Sequence, residues 1–340
     1  MIVDGKIKAF GEVMMRLEAP NYLKLEQARQ LQVLYVGTGV NILSALSKYG
    51  HDTAMITKLP NNSLGDAASA YIRSLGITTT DIIRGGEYLG MYFLENGFHP
   101  RPTKVTYSNR YESSFCTASI TEYDLEMLLL DTSLIHLCGI ALAISDKTRE
   151  SVLAIAKKAK QLGITVAFDF NYRPKLWDNQ YEQARPYYKE LLQYVDICFM
   201  AEKDAQYILN METSETEQQK QIEDLIPKVA KKFAIHTIAG TMRKNDLMKD
   251  RQWLQGFIYR DETIHFSSEY KLKILDRLGA GDGFSSGVIH GLVERYPHEK
   301  LVEFATVASV LAHTTYGDSP ICTEDEVWSF MNNNEVQIER

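Results

Sequence analysis

The chain has 340 residues, of which 45% are apolar or aromatic and 24% are charged, and its formal net charge is −7. These values suit a soluble globular protein, and the length is enough for one large α/β domain. An acidic chain without a basic cluster argues against a nucleic-acid binder, because phosphate contacts need grouped Lys and Arg side chains. A small anionic substrate is compatible with this charge, since it needs only one or two well-placed arginines.

The cysteines and the apolar runs indicate the cellular compartment of the protein. Cys116, Cys138, Cys198 and Cys322 are widely spaced, so we expect reduced thiols rather than a disulfide framework or a zinc site. The first residues do not resemble a signal peptide, and no apolar run reaches the length of about 18 residues that a membrane span requires. We therefore expect a cytoplasmic protein with no membrane partner.

Short apolar strands alternate with helical patterns along most of the chain. Residues 7–17 form an apolar run that predicts a strand, and residues 41–49 show helical spacing that stops at Gly50. The other predicted elements are strands at 53–57, 134–137, 165–168, 197–200 and 234–238, and helices at 64–75, 147–162 and 180–194. The alternation predicts an α/β fold with a parallel sheet covered on both faces, in which ligands bind at the carboxyl ends of the strands.

Residues 81–115 have a different composition from the rest of the chain. They contain seven aromatic side chains, with glycines and prolines between them, a pattern typical of strands joined by turns. A few antiparallel strands inserted into an α/β chain would make a candidate lid.

The segment from Asp276 to Asp282, D-R-L-G-A-G-D, lies between an apolar run and a helical pattern. Gly279, Ala280 and Gly281 would let the N–H groups of a helix N-terminus approach an anion such as a phosphate. Asp282 would then lie beside that anion, where a general base could take a proton from an attacking hydroxyl. The alternative is an ordinary Gly-rich turn in which Asp282 only caps the helix.

Two separated segments make the chain resemble the ribokinase-like, or PfkB, carbohydrate kinase family. The C-terminal signature of that family is D-T-x-G-A-G-D, and in this chain Arg277 replaces the Thr. Its N-terminal signature, G-G-x-x-x-N, corresponds to residues 36–41, V-G-T-G-V-N, which provide Gly37 and Asn41. The two signatures stand in the family's order, and the resemblance extends over residues 7–330.

The resemblance implies a Rossmann-like (ribokinase-like) three-layer core around a parallel sheet, with a small β-sheet lid. It implies a single kinase domain over residues 1–340, with the lid formed by parts of 12–35 and 88–115. The reaction it implies is transfer of the ATP γ-phosphate to a primary hydroxyl with Mg²⁺. It further implies a homodimer formed through the lid, and it leaves a dependence on a monovalent cation such as K⁺ open.

Two further segments are similar to the 2-keto-3-deoxygluconate kinase branch of the family, which acts on a sugar acid. They are residues 11–17, G-E-V-M-M-R-L, and the stretch from Asp169 to Trp177 that contains Arg173. In that branch the arginine pairs with the substrate carboxylate. Because Arg173 follows a predicted strand end and a guanidinium can hold a carboxylate through two hydrogen bonds, the chemistry is consistent with this role. The alternative is a surface arginine in an ordinary loop.

By the same resemblance, residues of the predicted lid and of one later loop contact the sugar. The lid residues are Tyr92 and Arg110, with either Tyr107 or Asn109 as a second contact. The alternative is that the aromatic side chains Tyr92 and Tyr107 only pack the lid. Asp318 follows an apolar helix over residues 304–312 and would either contact the sugar or cap the next segment.

The nucleotide side of the site is the last group of predicted residues. The resemblance places Glu202 on Mg²⁺ through water, Thr241, Arg243 and Arg277 near the phosphates, and Ala308 in the adenine wall with Ala305 and Ser309. The alternatives are a surface position for Arg243 and simple helix packing for Ala308.

Three other functions are alternatives to a 2-keto-3-deoxygluconate kinase. The first is the same fold acting on fructose, ribose or 5-keto-2-deoxygluconate, and the second is a non-catalytic sugar-binding regulator, which would have no need of a base at Asp282. The third is a Rossmann dehydrogenase, which is disfavoured because no G-x-G-x-x-G follows the first predicted strand.

Overall fold

The computed structural model describes residues 5–246 and 251–333. The strands in these ranges are β1 (Lys6–Phe10), β2 (Met14–Glu18), β3 (Gln32–Val36), β4 (Thr53–Leu59), β5 (Ile82–Arg84), β6 (Met91–Glu95), β7 (Lys104–Ser108), β8 (Thr132–Cys138), β9 (Thr165–Asp169), β10 (Ile197–Phe199), β11 (Thr237–Asp246), β12 (Arg251–Arg260), β13 (Thr263–Phe266) and β14 (Tyr270–Lys271). The helices are α1 (Thr38–Lys48), α2 (Ser63–Ser74), α3 (Ser114–Thr117), α4 (Leu125–Leu128), α5 (Gly139–Ile144), α6 (Asp146–Gln161), α7 (Tyr181–Leu191), α8 (Gln218–Phe233), α9 (Ala280–Val293), α10 (His298–Ala312) and α11 (Glu324–Asn333). None of these helices is long and apolar enough to cross a membrane.

Most strands belong to one large, mainly parallel sheet with the order β13-β12-β11-β10-β9-β8-β1-β4-β5. The strands from β11 through β5 pair in parallel, while β12, β13 and β14 add an antiparallel edge. After β1 the chain builds outward to β4 and β5, and it then returns to the other side of β1 as β8. The crevice at the carboxyl ends of β1 and β8 is therefore the topological switch point where α/β sheets bind ligands.

Helices cover both faces of this sheet, and the strand side chains alternate between two cores. In β8, Ile135 and Leu137 point into the core under α6, α7 and α8, while Leu134 points into the core under α1, α9 and α10. In β9, Val166 and Phe168 face the first core and Ala167 the second. This is the pattern of a sheet buried on both faces, and the expected three-layer α/β fold is confirmed.

A second, four-stranded sheet with the order β3-β2-β6-β7 forms the lid. Its inner face buries Met14, Val36, Tyr92 and Leu94 and packs against Leu278 of the core. The prediction of one strand over residues 7–17 is wrong, because the chain leaves the main sheet after β1 and enters the lid as β2. Hydrophobic periodicity cannot register such a change of sheet, since both strands are buried.

Candidate active site

A cavity of about 620 Å³ lies between the lid and the carboxyl ends of the parallel strands. The segments after β1, β8, β9 and β10 form its floor, and the lid covers it. Of the predicted site residues, the cavity is lined by Gly37, Asn41, Tyr92, Tyr107, Arg110, Arg173, Thr241, Arg277, Gly279, Gly281, Asp282 and Asp318. Residues far apart in the chain thus meet at the switch point.

Asp282 lies in the first turn of α9, and its side chain is buried. Asn41, in the first turn of α1, donates a hydrogen bond from Nδ2 to Asp282 Oδ2 at 2.7 Å. Burial raises the pKa of Asp282 well above its ordinary value, with further contributions from Asp169 and Asp318, and the Asn41 hydrogen bond opposes that rise. A carboxyl group with a raised pKa at the floor of a cavity has the properties of a general base.

The turn before α9 brings Gly279 and Gly281 to the cavity wall, whereas Ala280, which the sequence also placed in this site, is fully buried and does not line the cavity. Gly279 is in the left-handed region with φ 77°, and a Cβ atom there would lie 1.7 Å from the carbonyl oxygen of Asp318. Gly281 has open space where a side chain would be. Within the described ranges no side chain caps α9, so the N–H groups of its first turn, which begins at Ala280, remain for an anionic ligand.

Two acids that sequence reasoning did not assign to the site also line the cavity. Asp169 ends β9, and loss of solvent around its carboxyl raises its pKa to about 6, with Arg173 acting in the opposite direction. Desolvation likewise raises the pKa of Asp204 to about 7. Asp204 begins a single turn of π-helix (Asp204–Ile208), a rare geometry that often occurs at functional sites. The position of Asp169 at a predicted strand end was an available signal, whereas the π-turn has no sequence signature.

On the lid side, Tyr107 and not Asn109 lines the cavity. Asn109 occupies the turn after β7 with φ 53°. The guanidinium of Arg110 stacks over the Tyr107 ring at 4.7 Å and donates from Nε to Glu12 Oε2 at 2.9 Å. Glu12 is therefore a cavity residue that the sequence did not assign, and it fixes the orientation of Arg110.

On the nucleotide side, three predicted residues do not line the cavity. Glu202 is buried behind it and accepts a hydrogen bond from Gln218 Nε2 at 3.0 Å. Arg243 contacts Nε2 of His313 at 3.1 Å. Ala308 lies between α9 and α10, where Gly287 makes room for it, so its placement favours the helix-packing alternative over an adenine wall.

The arrangement joins a buried carboxylate, free N–H groups at a helix N-terminus and a lid over the switch point. These features define an enzyme that transfers a phosphoryl group to a small hydroxyl compound held under the lid.

Comparison with known proteins gives the family. The sequence model of the pfkB family carbohydrate kinases matches residues 4–325, and the chain belongs to that family. A candidate 2-keto-3-deoxygluconate kinase from Enterococcus faecalis is 39% identical with a TM-score of 0.94, covering 98% of each chain. The 2-dehydro-3-deoxygluconokinase of Thermotoga maritima is 31% identical with a TM-score of 0.91, covering 97% of this chain and 100% of its own. A 2-dehydro-3-deoxygalactonokinase from Haloferax volcanii is 27% identical over 339 residues, 99% of this chain and 100% of its own.

Proposed function

We propose that this carbohydrate kinase phosphorylates 2-keto-3-deoxygluconate to 2-keto-3-deoxy-6-phosphogluconate, with ATP as donor and Mg²⁺ as cofactor. The observation that carries the proposal is that Arg173 and Asp282 line one cavity. A cation for the substrate carboxylate and a base for its hydroxyl therefore face the same small molecule. The names of the relatives from Enterococcus faecalis and Thermotoga maritima support the same substrate.

Asp282 is the proposed base for the primary hydroxyl. Its raised pKa lies closer to the operating pH, which makes the carboxylate a better proton acceptor. The Asn41 amide fixes one carboxylate oxygen, so that the other can face the substrate. The N–H groups of the turn at Gly279 and Gly281, which line the cavity, would stabilise the charge that develops on the transferring phosphoryl group. Arg277 and Thr241 lie along the same cavity and would contact the donor phosphates.

The sugar acid would lie between the core and the lid. Arg173 can pair with its carboxylate through two hydrogen bonds. Asp318 and Tyr107 face the same space and can bind its hydroxyl groups. Arg110, held by its ion pair with Glu12, lies at the lid side of the cavity, where its remaining N–H groups can donate to substrate oxygens.

Asp169 and Asp204, the two acids that line the cavity after β9 and at the π-turn, fit Mg²⁺, which prefers oxygen ligands and keeps several of its waters. Asp204 is the better candidate than Glu202 to hold a water of the ion, because Asp204 lines the cavity and Glu202 lies behind it. Glu202 Oε2 is buried without a hydrogen-bond partner among the described residues, so it could orient that water shell from behind. When bound, Mg²⁺ would neutralise phosphate charge.

A dependence on K⁺ stays a prediction. Replacement of K⁺ by tetramethylammonium in the activity assay would test it.

The nearest alternatives share the fold and differ in the sugar. The galactonate epimer is supported by the name of the Haloferax volcanii relative, whereas fructose and ribose leave Arg173 without an anionic partner. A kinase for 5-keto-2-deoxygluconate remains a candidate. A non-catalytic regulator is disfavoured because a sensor gains nothing from burying Asp282 beside a helix N-terminus.

The test is a coupled ATP-turnover assay over 2-keto-3-deoxygluconate, its galactonate epimer, 5-keto-2-deoxygluconate, fructose and ribose. We expect the highest kcat/KM for 2-keto-3-deoxygluconate. A higher value for a neutral sugar would contradict the substrate assignment, and no turnover with any of the five would favour the regulator.

We also propose a homodimer formed through the lid. The lid exposes apolar surface outside the cavity at Val33, which is 48% exposed, and β7 is an edge strand of its sheet. Exposed apolar surface and unpaired edges are typical of surfaces that pair. Light scattering should give twice the monomer mass for the wild type and the monomer mass for Val33→Lys, a change outside the cavity.

A further inference from the structure

Arg16, in the lid strand β2, is a completely buried arginine whose role the proposed function does not include. Its Nη2 donates to Glu18 Oε2 at 2.6 Å and to Asp276 Oδ2 at 3.2 Å, and its Nη1 pairs with Asp318 Oδ1. Arg16 does not line the cavity, whereas Asp318 does. The guanidinium thus lies directly behind a residue that faces the substrate.

The carboxylates around Arg16 connect the two loops that close the site. Asp276 Oδ1 accepts a hydrogen bond from the Leu278 N–H at 3.1 Å, and Oδ2 accepts one from the Gly317 N–H at 3.3 Å. Gly279 also packs against the Asp318 backbone so closely that no Cβ would fit. The phosphate-binding turn and the Asp318 loop are therefore one unit, and Arg16 joins that unit to the lid.

Charge makes the guanidinium necessary for this geometry. Glu18, Asp276 and Asp318 converge on one point, and three carboxylates without a cation would repel each other. The second oxygen of Asp318 accepts a hydrogen bond from Tyr92 OH at 3.3 Å, so both oxygens are held by lid residues. A lysine could not replace Arg16, because a point charge on a flexible stem does not reach three carboxylates in fixed directions.

We propose that Arg16 is a positioning residue for the kinase reaction: its guanidinium orients Asp318 towards the sugar and couples the lid strand to the Gly279–Asp282 turn. This role rests on the proposed function only in that Asp318 contacts the phosphate acceptor, whichever sugar that is. It gives a physical reason for the arginine in the segment 11–17, which otherwise serves only as a mark of resemblance.

The test is a double-mutant cycle with Arg16→Met, Asp318→Asn and the double variant, assayed with the best substrate of the sugar panel. We expect Arg16→Met to lower kcat/KM for the sugar by about 10- to 100-fold, as misplacement of a contact by about 1 Å can do. The KM for ATP should change much less. In the Asp318→Asn background the same substitution should cost less than about 3-fold, because residues that act through one another are not additive. Factors that multiply in the double variant would overturn the proposal.

Loss of stability is separated from loss of positioning by two further variants. Lys8→Met removes an equally buried cation that pairs with Asp81 at 2.7 Å outside the cavity. It should lower Tm while leaving kcat and both KM values within about 2-fold, which is the additive behaviour of a distant site. Arg16→Lys keeps the charge and serves if Arg16→Met does not fold, and it should show most of the kinetic loss. An Arg16→Lys enzyme with wild-type KM for the sugar would contradict the proposal.

Failure of the proposed function gives a different result from failure of this inference. If the wild type prefers another sugar, the cycle is measured with that sugar and its non-additivity is still expected. Titration calorimetry of the sugar with the wild type and the three variants gives the same double-mutant cycle from binding free energies, without turnover. Additive binding losses would overturn the role of Arg16 even if the substrate assignment is right.

Discussion

Within residues 5–246 and 251–333, one cavity lies at each end of the main sheet, and the larger of these two lacks the chemistry of an active site. The cavity at the carboxyl ends of the strands has about 620 Å³, whereas one at their amino ends has about 1100 Å³. Thr165, Ile197 and Thr237, the first residues of β9, β10 and β11, line the larger cavity, together with the carboxyl ends of α8 and α9.

The difference follows from the polarity of the chain. At the carboxyl ends of the strands, α1 and α9 present their N-termini, with free N–H groups and a positive dipole end. At the opposite end the same α9 presents carbonyl groups, and acids such as Asp196 are paired with Lys160 near the surface. Cavity volume therefore does not identify the site, whereas helix direction and buried acids with raised pKa do.

The largest expected effect is the loss of activity in Asp282→Asn. Asn keeps the size and the Asn41 contact but cannot accept the proton, so kcat should fall by about 10²- to 10⁴-fold, the usual contribution of a general base. Asp261→Asn in the amino-end cavity is the matched control and should keep the wild-type rate. An Asp282→Asn enzyme with full kcat would remove the main distinction between the two cavities.

The same Asp282→Asn substitution should raise Tm. Because burial raises the pKa of Asp282, its ionised form destabilises the fold above the unfolded-state pKa of about 3.9, and this loss grows until the pH reaches the raised pKa. At pH 8 calorimetry should therefore show a higher Tm for the variant, and at pH 4 the difference should be small. A variant that melts lower at pH 8 would show that the buried carboxylate is not destabilising.

A smaller effect is expected from Arg173→Met. A hydrogen bond to a charged group contributes about 1.5–3 kcal/mol, so KM for the sugar acid should rise by about 10- to 100-fold with little change in kcat. Arg260→Met in the amino-end cavity is the control. Equal losses with fructose and with the sugar acid would indicate that Arg173 does not bind a carboxylate.

The fold could be predicted from the sequence because its signals are local and repeated. Alternating strands and helices gave the three layers, and the aromatic segment within 81–115 gave the lid. Periodicity did not indicate the change of sheet between β1 and β2, because the buried Glu12 and Arg16 find their partners more than 90 residues away. Only the resemblance, which placed parts of 12–35 in the lid, indicated it.

The site was predictable where the family's signature residues face the cavity. Gly37, Asn41, Gly279 and Asp282 meet as the resemblance implies. Of the two nearby acids, Asp204 lines the cavity and the predicted Glu202 does not, a difference that only the π-turn decides. Arg16 was missed as a positioning residue because its partners Asp276 and Asp318 come from distant loops.

Asp204→Asn should change the pH dependence of stability. Desolvation raises the pKa of Asp204 to about 7, so the wild type loses stability as the pH rises from about 4 towards 7. The variant carries no charge there, and the fall in Tm between pH 5 and pH 8 should be smaller than in the wild type. Without added Mg²⁺, identical pH profiles for the two proteins would contradict a raised pKa at Asp204.

The smallest expected effect belongs to the amino-end cavity itself. Ala234 lines that cavity and ends α8 in the left-handed region with φ 55°, a position that favours glycine. Left-handed backbone costs a non-glycine residue about 1–2 kcal/mol, and the extra unfolded-state entropy of glycine offsets about 0.5–1 kcal/mol of that relief. Ala234→Gly should therefore stabilise the protein by about 0.5–1 kcal/mol in urea unfolding. Since the change lies at the opposite end of the sheet, kcat/KM should stay unchanged, and a change in kcat/KM would show that the two ends are coupled.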